Sequence, residues 1–436
     1  MLDAKFIRQN PDVVRQSMVN RQYDPKPLDE FLTLDESRRS LLTETESLKA
    51  ERNRESEEIA KMKKAGQDAT SEITRMREVS DRIKELDAQV KEVEEKLDGV
   101  TLSIANVPHE STPIGKDSSE NITVKTVGDV PKFDFEPAPH WELGTMHDIL
   151  DFERGSKITG SGFILYKGLG ARLERALFSW MLDLHVAKHG YTEVFPPFVV
   201  NRQSMIGTGQ IPKMEEDMYH CNEDDLFLIP TAEVPVTNIH RDEILNAEDL
   251  PIYYTAYSAC FRREAGSAGK DTRGLLRVHE FNKVEMVKFT TPETSYDEHE
   301  RLLKDAEEIF QLLEIPYRVL LLCTGDISFA AAKCYDIEAW APGVGQWLEC
   351  SSCSNFEDFQ ARRANIRFRR ERGAKPEFLH TLNASGVALP RTFITVLENY
   401  QQADGTIVVP KVLRPYMGGV EVIGKGSEGK RFEATA

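Results

Sequence analysis

The chain has no apolar run long enough to span a bilayer, no second cysteine pair beside its single Cys-x-x-Cys (Cys350, Cys353), and no surplus of positive charge. The first absence excludes a helical membrane protein. Six cysteines in 436 residues are too few for a disulfide framework, and the lone pair reads as ordinary reduced thiols rather than a zinc or redox centre. A formal charge of −17 excludes general adhesion to DNA or to an anionic membrane. Any nucleic-acid partner must therefore meet a local basic patch. Met1 to Asn10 carries Asp3, Lys5 and Arg8 and lacks a secretory apolar core, which makes the cytoplasm the expected compartment. Gly160-Ser-Gly162 and Gly168-Leu-Gly170 lack the Gly-Lys-Ser/Thr ending of a Walker A loop and read as turns.

Proline is also absent from Leu28 to Val107, and aromatics vanish after Phe31. What remains is charged and periodic. Met76, Val79, Ile83, Leu86, Val90, Val93, Leu97, Val100 and Ile104 alternate three and four residues apart, the stripe of a left-handed coiled coil. A looser stripe runs through Leu28, Phe31, Leu34, Leu41, Leu48, Ile59 and Met62. Between them Gly66 can end one helix and Asp68 can cap the next. The simplest structure is an antiparallel helical hairpin closed on itself, not a dimerising rod. Lys49, Arg52, Arg54, Lys61, Lys63, Lys64, Arg75 and Arg77 gather toward its far end, a pattern suited to a polyanion.

Residues 106–121 read as a linker between an N-terminal domain, 1–105, and a larger domain, 122–423; residues 424–436 read as a frayed tail. In the larger domain a helix through Leu173, Leu177, Trp180 and Leu184 stops at Gly190. A strand follows from Tyr191 to Val200, interrupted by Pro196 and Pro197. Further strands are expected at Leu226–Pro230, Tyr253–Phe261, Glu280–Phe289, Tyr317–Leu322, Tyr335–Trp340 and Gln346–Cys353, joined by turns and hairpins. The fold class is α+β, a mostly antiparallel sheet flanked by helices.

Three segments carry chemistry. Phe261-Arg-Arg-Glu264, a glycine-rich loop from Ala265 to Gly274, and a returning strand with Phe281 form a hairpin. There arginine can fork onto phosphate, the ring can stack a base, and Glu264 can accept from an exocyclic amine. Trp347-Leu-Glu349-Cys-Ser-Ser352 offers hard oxygen ligands for a magnesium shared with nucleotide phosphates. Regular alternation puts Glu349 and Ser351 on one face, a carboxylate beside a hydroxyl. Asn383-Ala-Ser385-Gly386-Val-Ala-Leu-Pro390-Arg391 reads as a small-residue turn that lets backbone approach a ligand, followed by a helix with an arginine at its start.

Together and in this order, these segments resemble the three signature motifs of class II aminoacyl-tRNA synthetases. The first of these is Tyr191 to Pro197 after its helix. Within that class the chain is similar to the seryl-tRNA synthetase family. The likeness is carried by Gly207-Thr-Gly-Gln-Ile-Pro212, Pro230-Thr-Ala-Glu233, Arg262-Arg-Glu-Ala-Gly266, Gly269-Lys-Asp-Thr-Arg-Gly274, Cys350-Ser-Ser-Cys-Ser-Asn355, Asp358-Phe-Gln-Ala-Arg-Arg363 and Tyr400-Gln-Gln-Ala-Asp-Gly405. It covers nearly the whole chain, arm included.

The resemblance implies activation of L-serine by ATP with Mg2+, then transfer to the 3′ end of tRNA-Ser, and to a selenocysteine tRNA where the host has one. It implies catalytic roles for Arg262, Glu349 and Arg391, with Glu349 and Ser352 on the metal; regular alternation puts those two on opposite faces, so this pairing requires a bulge or bend near Cys350. The ATP site would comprise Arg262, Arg263, Glu264, Arg277, Val278, Phe281, Glu349, Cys350, Ser351, Ser352 and Arg391. Phe281 and Arg391 would sandwich the adenine. The serine pocket would comprise Thr231, Ala232, Glu233, Arg262, Glu285, Asn383 and Ser385. Ser385 stands where the family also uses threonine, a swap that keeps the hydroxyl. The arm would take the tRNA through Arg52, Arg54, Lys61, Lys63, Lys64 and Arg75, and the loop with Lys270, Arg273 and Arg277 would meet the acceptor end. His279 is expected to be structural. A homodimer is implied by the family. The motif pattern disfavours the family's zinc-dependent form. Two other readings stand beside this one: a synthetase-like ligase that loads a carrier protein, and a catalytically dead coiled-coil adaptor.

Overall fold

A computed structural model describes residues 1–265 and 273–424. Gly269 to Thr272, Lys270 among them, lie outside the described residues, as does the tail beyond Gly424. The chain divides into two compact units, Leu2–Ala105 and Asn106–Ala436 with Met1.

In the first unit, α1 (Lys26–Lys64) and α2 (Thr70–Thr101) pack side by side as an arm. The stripe closes the seam: Met76, Ile83, Leu86, Val90 and Leu97 are buried on α2, and Leu28 and Phe31 on α1. Gly66 turns the chain with φ +72°, a conformation that costs glycine little. The Asp68 carboxylate accepts from Thr70 N at 3.0 Å and from Thr70 Oγ1 at 2.6 Å. Ion pairs flank the seam at Arg38–Glu94 (2.8 Å), Lys49–Asp87 (2.8 Å) and Arg82–Glu44 (2.9 Å). These exposed pairs set register more than stability.

The second unit is built on an eight-stranded sheet. Its strands are β1 (Ile122–Val127), β2 (Thr192–Glu193), β3 (Ile252–Phe261), β4 (Glu280–Thr290), β5 (Tyr317–Leu321), β6 (Lys333–Ala341), β7 (Gln346–Asn355) and β8 (His380–Ala388). They lie in the order β1-β5-β6-β7-β8-β4-β3-β2, antiparallel except at β2–β3. The helices α3 (Leu169–Ala187), α4 (Ser295–Leu312) and α5 (Leu389–Asn399) cover one face. Their apolar stripes meet Val284, Met286, Ile337, Ala339, Leu348, Leu382, Ala384 and Val387 in one buried cluster. The opposite face carries the polar side chains described below.

The structure differs from the sequence reading in three places. Asn383 to Ala388, expected as a turn, is the body of β8. Its small residues fit because this strand is packed between β7 and β4 and buried on both faces. Residues 106–121, expected as a linker, are tied to the sheet unit. Asn106 Nδ2 donates to Ala330 O and Phe356 O, both at 2.9 Å, and Thr112 Oγ1 donates to Ala332 O at 2.9 Å. The expected strand across Tyr191–Val200 is split into β2 and a separate strand, Val199–Asn201, by the two prolines, which cannot donate to a ladder.

Leu86 is fully buried in the arm seam. Leu86→Ala should cost about 2–4 kcal/mol, read as earlier loss of helical circular dichroism in denaturant, whereas Gln89→Ala on the exposed face should shift the midpoint negligibly.

Candidate active site

Two register shifts decide which side chains reach the open face. On β7, Ser351 pairs with Ile337 but Glu349 pairs with Glu338, so Cys350 is one residue extra. Everything beyond it changes face. Ser352, opposite Asp336, thereby joins Glu349 on the polar face, and Ser351 turns toward the core with its Oγ donating to Ser385 O at 2.5 Å. The bulge that the resemblance required is present, and it overturns the shared face of Glu349 and Ser351 expected from regular alternation. On β8, Ser385 pairs with Glu285 and Val387 with Val284, leaving Gly386 extra. A Cβ there would meet His185 Nε2 at 3.0 Å and Val284 Cγ1 at 3.2 Å. Ser385 and Glu285 consequently share the polar face.

A pocket opens on this face at the mouth of the β3–β4 hairpin. Arg262, Glu264, Arg277, Val278, Phe281, Glu349, Cys350, Ser385 and Arg391 line it, so the three separate sequence segments converge. Arg262 lies over the Phe281 ring, 5.2 Å from its centroid, and its Nε donates to Pro230 O at 3.3 Å. Glu264, at φ +51°, pairs with Arg277 at 3.0 Å. Arg391 stands in the first turn of α5 beside Pro390, whose fixed φ suits a helix start. It donates to Glu349 O at 2.7 Å and pairs with Glu349 Oε2 at 3.2 Å.

Behind the pocket sits a buried polar network. Thr231 Oγ1 donates to Glu285 Oε2 at 3.0 Å, and Asn383 Nδ2 donates to Glu285 Oε1 at 2.8 Å. Lys283, which also lines the pocket, reaches Glu285 Oε2 at 2.5 Å and donates to Thr231 Oγ1 at 2.9 Å. Glu233 accepts from Gln360 Nε2 at 2.6 Å, and Gln360 in turn accepts from Thr381 Oγ1 at 2.7 Å. Burial pushes the Glu233 carboxyl up to about 7, with the Glu285 charge adding to it and Gln360 opposing.

Not every expected residue arrives. Arg263 is exposed and turned away: its guanidinium donates to Glu216 O at 3.1 Å. Both arginines follow the end of β3, and the backbone parts there: Arg262 N still donates to His279 O across the hairpin, whereas Arg263 N donates to Asp217 O, each at 2.9 Å. The Ala232 methyl is packed into a second core with Val236, Ala256 and Val287. Ser351 faces the main core, as above. Leu275, Leu276, Ala388 and Pro390 line the pocket without having been anticipated. Lys283 was also missed, although it stands two residues from both Phe281 and Glu285 on one strand face. His279 is held by Tyr219 OH at 3.2 Å and Arg262 O at 3.1 Å and stacks on Phe163, a structural role. Arg273 stacks on Trp141 at 4.4 Å.

In the arm, Arg54, Lys61, Lys63 and Lys64 are exposed, Arg52 is half-buried, and Arg75 is paired with Glu51. Among the described residues no group of three or more His, Cys, Asp or Glu is arranged to hold a metal by itself. His185 and His189, at a spacing metals can use, hydrogen-bond to each other at 2.9 Å, and His189 to Glu308 at 2.9 Å. Among the described residues no helix is long and apolar enough to cross a membrane.

Between pH 4.5 and about 7 the folded chain keeps a proton on Glu233 that the unfolded chain has released. Native protein thus binds more protons there, and stability falls as pH rises through that window. Glu233→Gln should remove this cost, on the order of 3 kcal/mol at pH 8 and nothing below pH 4. Denaturant midpoints of both proteins at the two pH values measure it.

Known proteins share this architecture. Residues 1–108 match the seryl-tRNA synthetase N-terminal domain, and residues 214–400 match the tRNA synthetase class II core domain (G, H, P, S and T). A serine--tRNA ligase of Listeria monocytogenes serotype 4a is 59% identical over 423 residues, 97% of this chain and 99% of that one. The crystal structure of seryl-tRNA synthetase from Pyrococcus horikoshii complexed with ATP superposes with a TM-score of 0.93 at 40% identity, covering 97% of this chain and 99% of that one. That of the cytoplasmic serine-tRNA ligase from Naegleria fowleri in complex with AMP gives 0.87 at 30% identity, covering 97% and 98%. With both sequence modules, the bulged sheet and the pocket in place, the chain belongs to the seryl-tRNA synthetase family.

Proposed function

We propose that this chain joins L-serine to tRNA-Ser at the expense of ATP, through the pocket at the β3–β4 hairpin mouth. The observation that carries the reading is the convergence of Arg262, Phe281, Glu349 and Arg391 on one pocket, with buried carboxylates behind it.

The first step is in-line attack of the serine carboxylate on the ATP α-phosphorus. The bond to the bridging oxygen breaks, and pyrophosphate leaves with the electron pair. Such a reaction needs positioning and charge neutralisation more than acid–base groups. Arg262 holds the α-phosphate between the two reactants. Phe281 and Arg391 clamp the adenine, and Glu264 accepts from its exocyclic amine by giving up part of its pairing with Arg277. Glu349 and Ser352 offer hard oxygens on one face because of the Cys350 bulge, a donor set that fits magnesium. Bound there with ATP, the ion would offset phosphate charge. The amino acid lies deeper, where Thr231, Glu233, Glu285, Asn383 and Ser385 present acceptors and a small hydroxyl. A site that hydrogen-bonds the substrate hydroxyl rejects alanine, because its polar groups would be left unpaired. In the second step the tRNA 3′-terminal ribose hydroxyl attacks the seryl carbonyl and AMP leaves.

The exposed lysines at the arm tip support contact with the tRNA backbone. The homodimer implied by the family would meet across the segment from α3 to Pro197, a reading that the 74% exposure of Phe195 supports. The free thiols of the described cysteines fit a cytoplasmic setting. The retained pocket disfavours an adaptor, and the retained arm disfavours a carrier-protein ligase.

Serine-dependent ATP–pyrophosphate exchange followed by charging of bulk tRNA tests the reading. Arg262→Ala should lower exchange by roughly 10³-fold, and exchange without transfer to tRNA would favour the carrier-protein alternative. Replacing Lys63 and Lys64 by alanine should lower tRNA charging about tenfold, flatten its salt dependence, and leave exchange intact. Equal loss of both activities would remove the arm from tRNA recognition.

A further inference from the structure

Lys283 has no role in the chemistry just described, yet it is the cation most deeply set into the site. Its side chain is 5% exposed and that of Glu285 is 0% exposed, with 2.5 Å between Nζ and Oε2. The strand dictates this position. Phe281, Lys283 and Glu285 alternate onto one face of β4, between the adenine clamp and the amino-acid pocket. The same ammonium donates to Thr231 Oγ1, which donates onward to Glu285 Oε2. With Asn383 Nδ2 on the other oxygen, Glu285 enters the reaction already charge-balanced and held on both sides. Glu233 is different. Among the described residues it has no ion pair, and its side chain accepts from the neutral amide of Gln360. The pocket therefore contains two buried carboxylates of unlike kind, one with a counter-charge in direct contact and one that feels Lys283 and Arg262 only at longer range.

A serine zwitterion brings one cation and one neutral hydroxyl to be recognised. An ammonium gains most from the carboxylate that lacks a counter-charge in direct contact, whereas a hydroxyl needs only a fixed acceptor. We propose that Lys283 is a positioning residue that assigns the two carboxylates separate tasks: by neutralising and orienting Glu285 it reserves that group for the serine hydroxyl and leaves Glu233 for the α-ammonium. Lys283 so determines specificity for the hydroxyl without touching the reacting atoms. This division of tasks rests on the amino-acid pocket proposed above.

The test compares seryl- and alanyl-sulfamoyl adenosine as inhibitors of exchange, with KM for serine and for ATP. Lys283→Met should raise serine KM roughly 10–100-fold and cut the preference for the seryl over the alanyl inhibitor at least about tenfold. ATP KM should stay within about twofold, and Lys283→Arg should restore most of the preference. The charge-balanced double variant Lys283→Met/Glu285→Gln keeps the test open if the single variant fails to fold; it should be no less selective than Glu285→Gln alone. An unchanged inhibitor preference in Lys283→Met, a proportional rise in ATP KM, or additive losses in the double variant would overturn the proposal. Failure of the underlying reading looks different: no serine-dependent exchange by the unaltered chain, or a serine KM untouched by Glu285→Gln, would remove the pocket itself and the proposal with it.

Discussion

Two single-residue insertions in the central sheet, at Cys350 and Gly386, are the constraint on which the site depends. A strand presents alternate residues to opposite faces, so one extra residue transfers all that follows to the other side. Here the transfer is used twice in neighbouring strands. Before the insertion in β7, Leu348 faces the helices and Glu349 the open side; after it, Ser351 and Cys353 face the helices and Ser352 the open side. In β8 the same device keeps both Ala384 and Val387 in the core while Ser385 meets Glu285. The sheet can thus be apolar under three helices and polar where substrates would lie.

The polar face is organised by compensation. Glu285 is balanced by Lys283, Glu264 by Arg277 and Glu349 by Arg391. Isolated, any of these buried or half-buried charges would be costly. Paired, they leave the pocket lined with groups that can trade partners when a more highly charged ligand enters. That arrangement resolves the apparent conflict between a chain of net charge −17 and polyanionic substrates, because local pairing rather than overall balance sets the field in the site.

How much of this could be read beforehand follows from the range of each signal. The arm seam was legible because its period is local, and the hairpin because Arg262, Glu264 and Phe281 sit on strands with strong alternation. The bulge at Cys350 followed only from the family's pairing of Glu349 with Ser352; strand alternation by itself pointed to Ser351, because an inserted residue leaves no periodic trace. Strand β8 was not legible: Ala384, Ser385, Gly386 and Ala388 have poor strand propensity, and only packing between two neighbours extends them. Lys283 was overlooked because its partner Thr231 lies 52 residues away, and a lysine on a strand ordinarily reads as solvated. Arg263 and Ala232 adjoin motif residues in the sequence, but the chain beyond β3 carries Arg263 to Glu216 and core packing takes up the Ala232 methyl.

The arm has a mechanical consequence. Its outgoing helix spans 39 residues, which at 1.5 Å per residue is about 58 Å from first turn to tip. At physiological ionic strength that is roughly seven Debye lengths. Charge at the tip is therefore electrically silent at the helix base, and the two ends of α1 can be rewritten independently. A lineage could retune its grip on a polyanion by exchanging tip residues such as Lys63 and Lys64 while the ion pairs near the base, Arg8–Asp35 and Arg38–Glu94, continue to hold the same register.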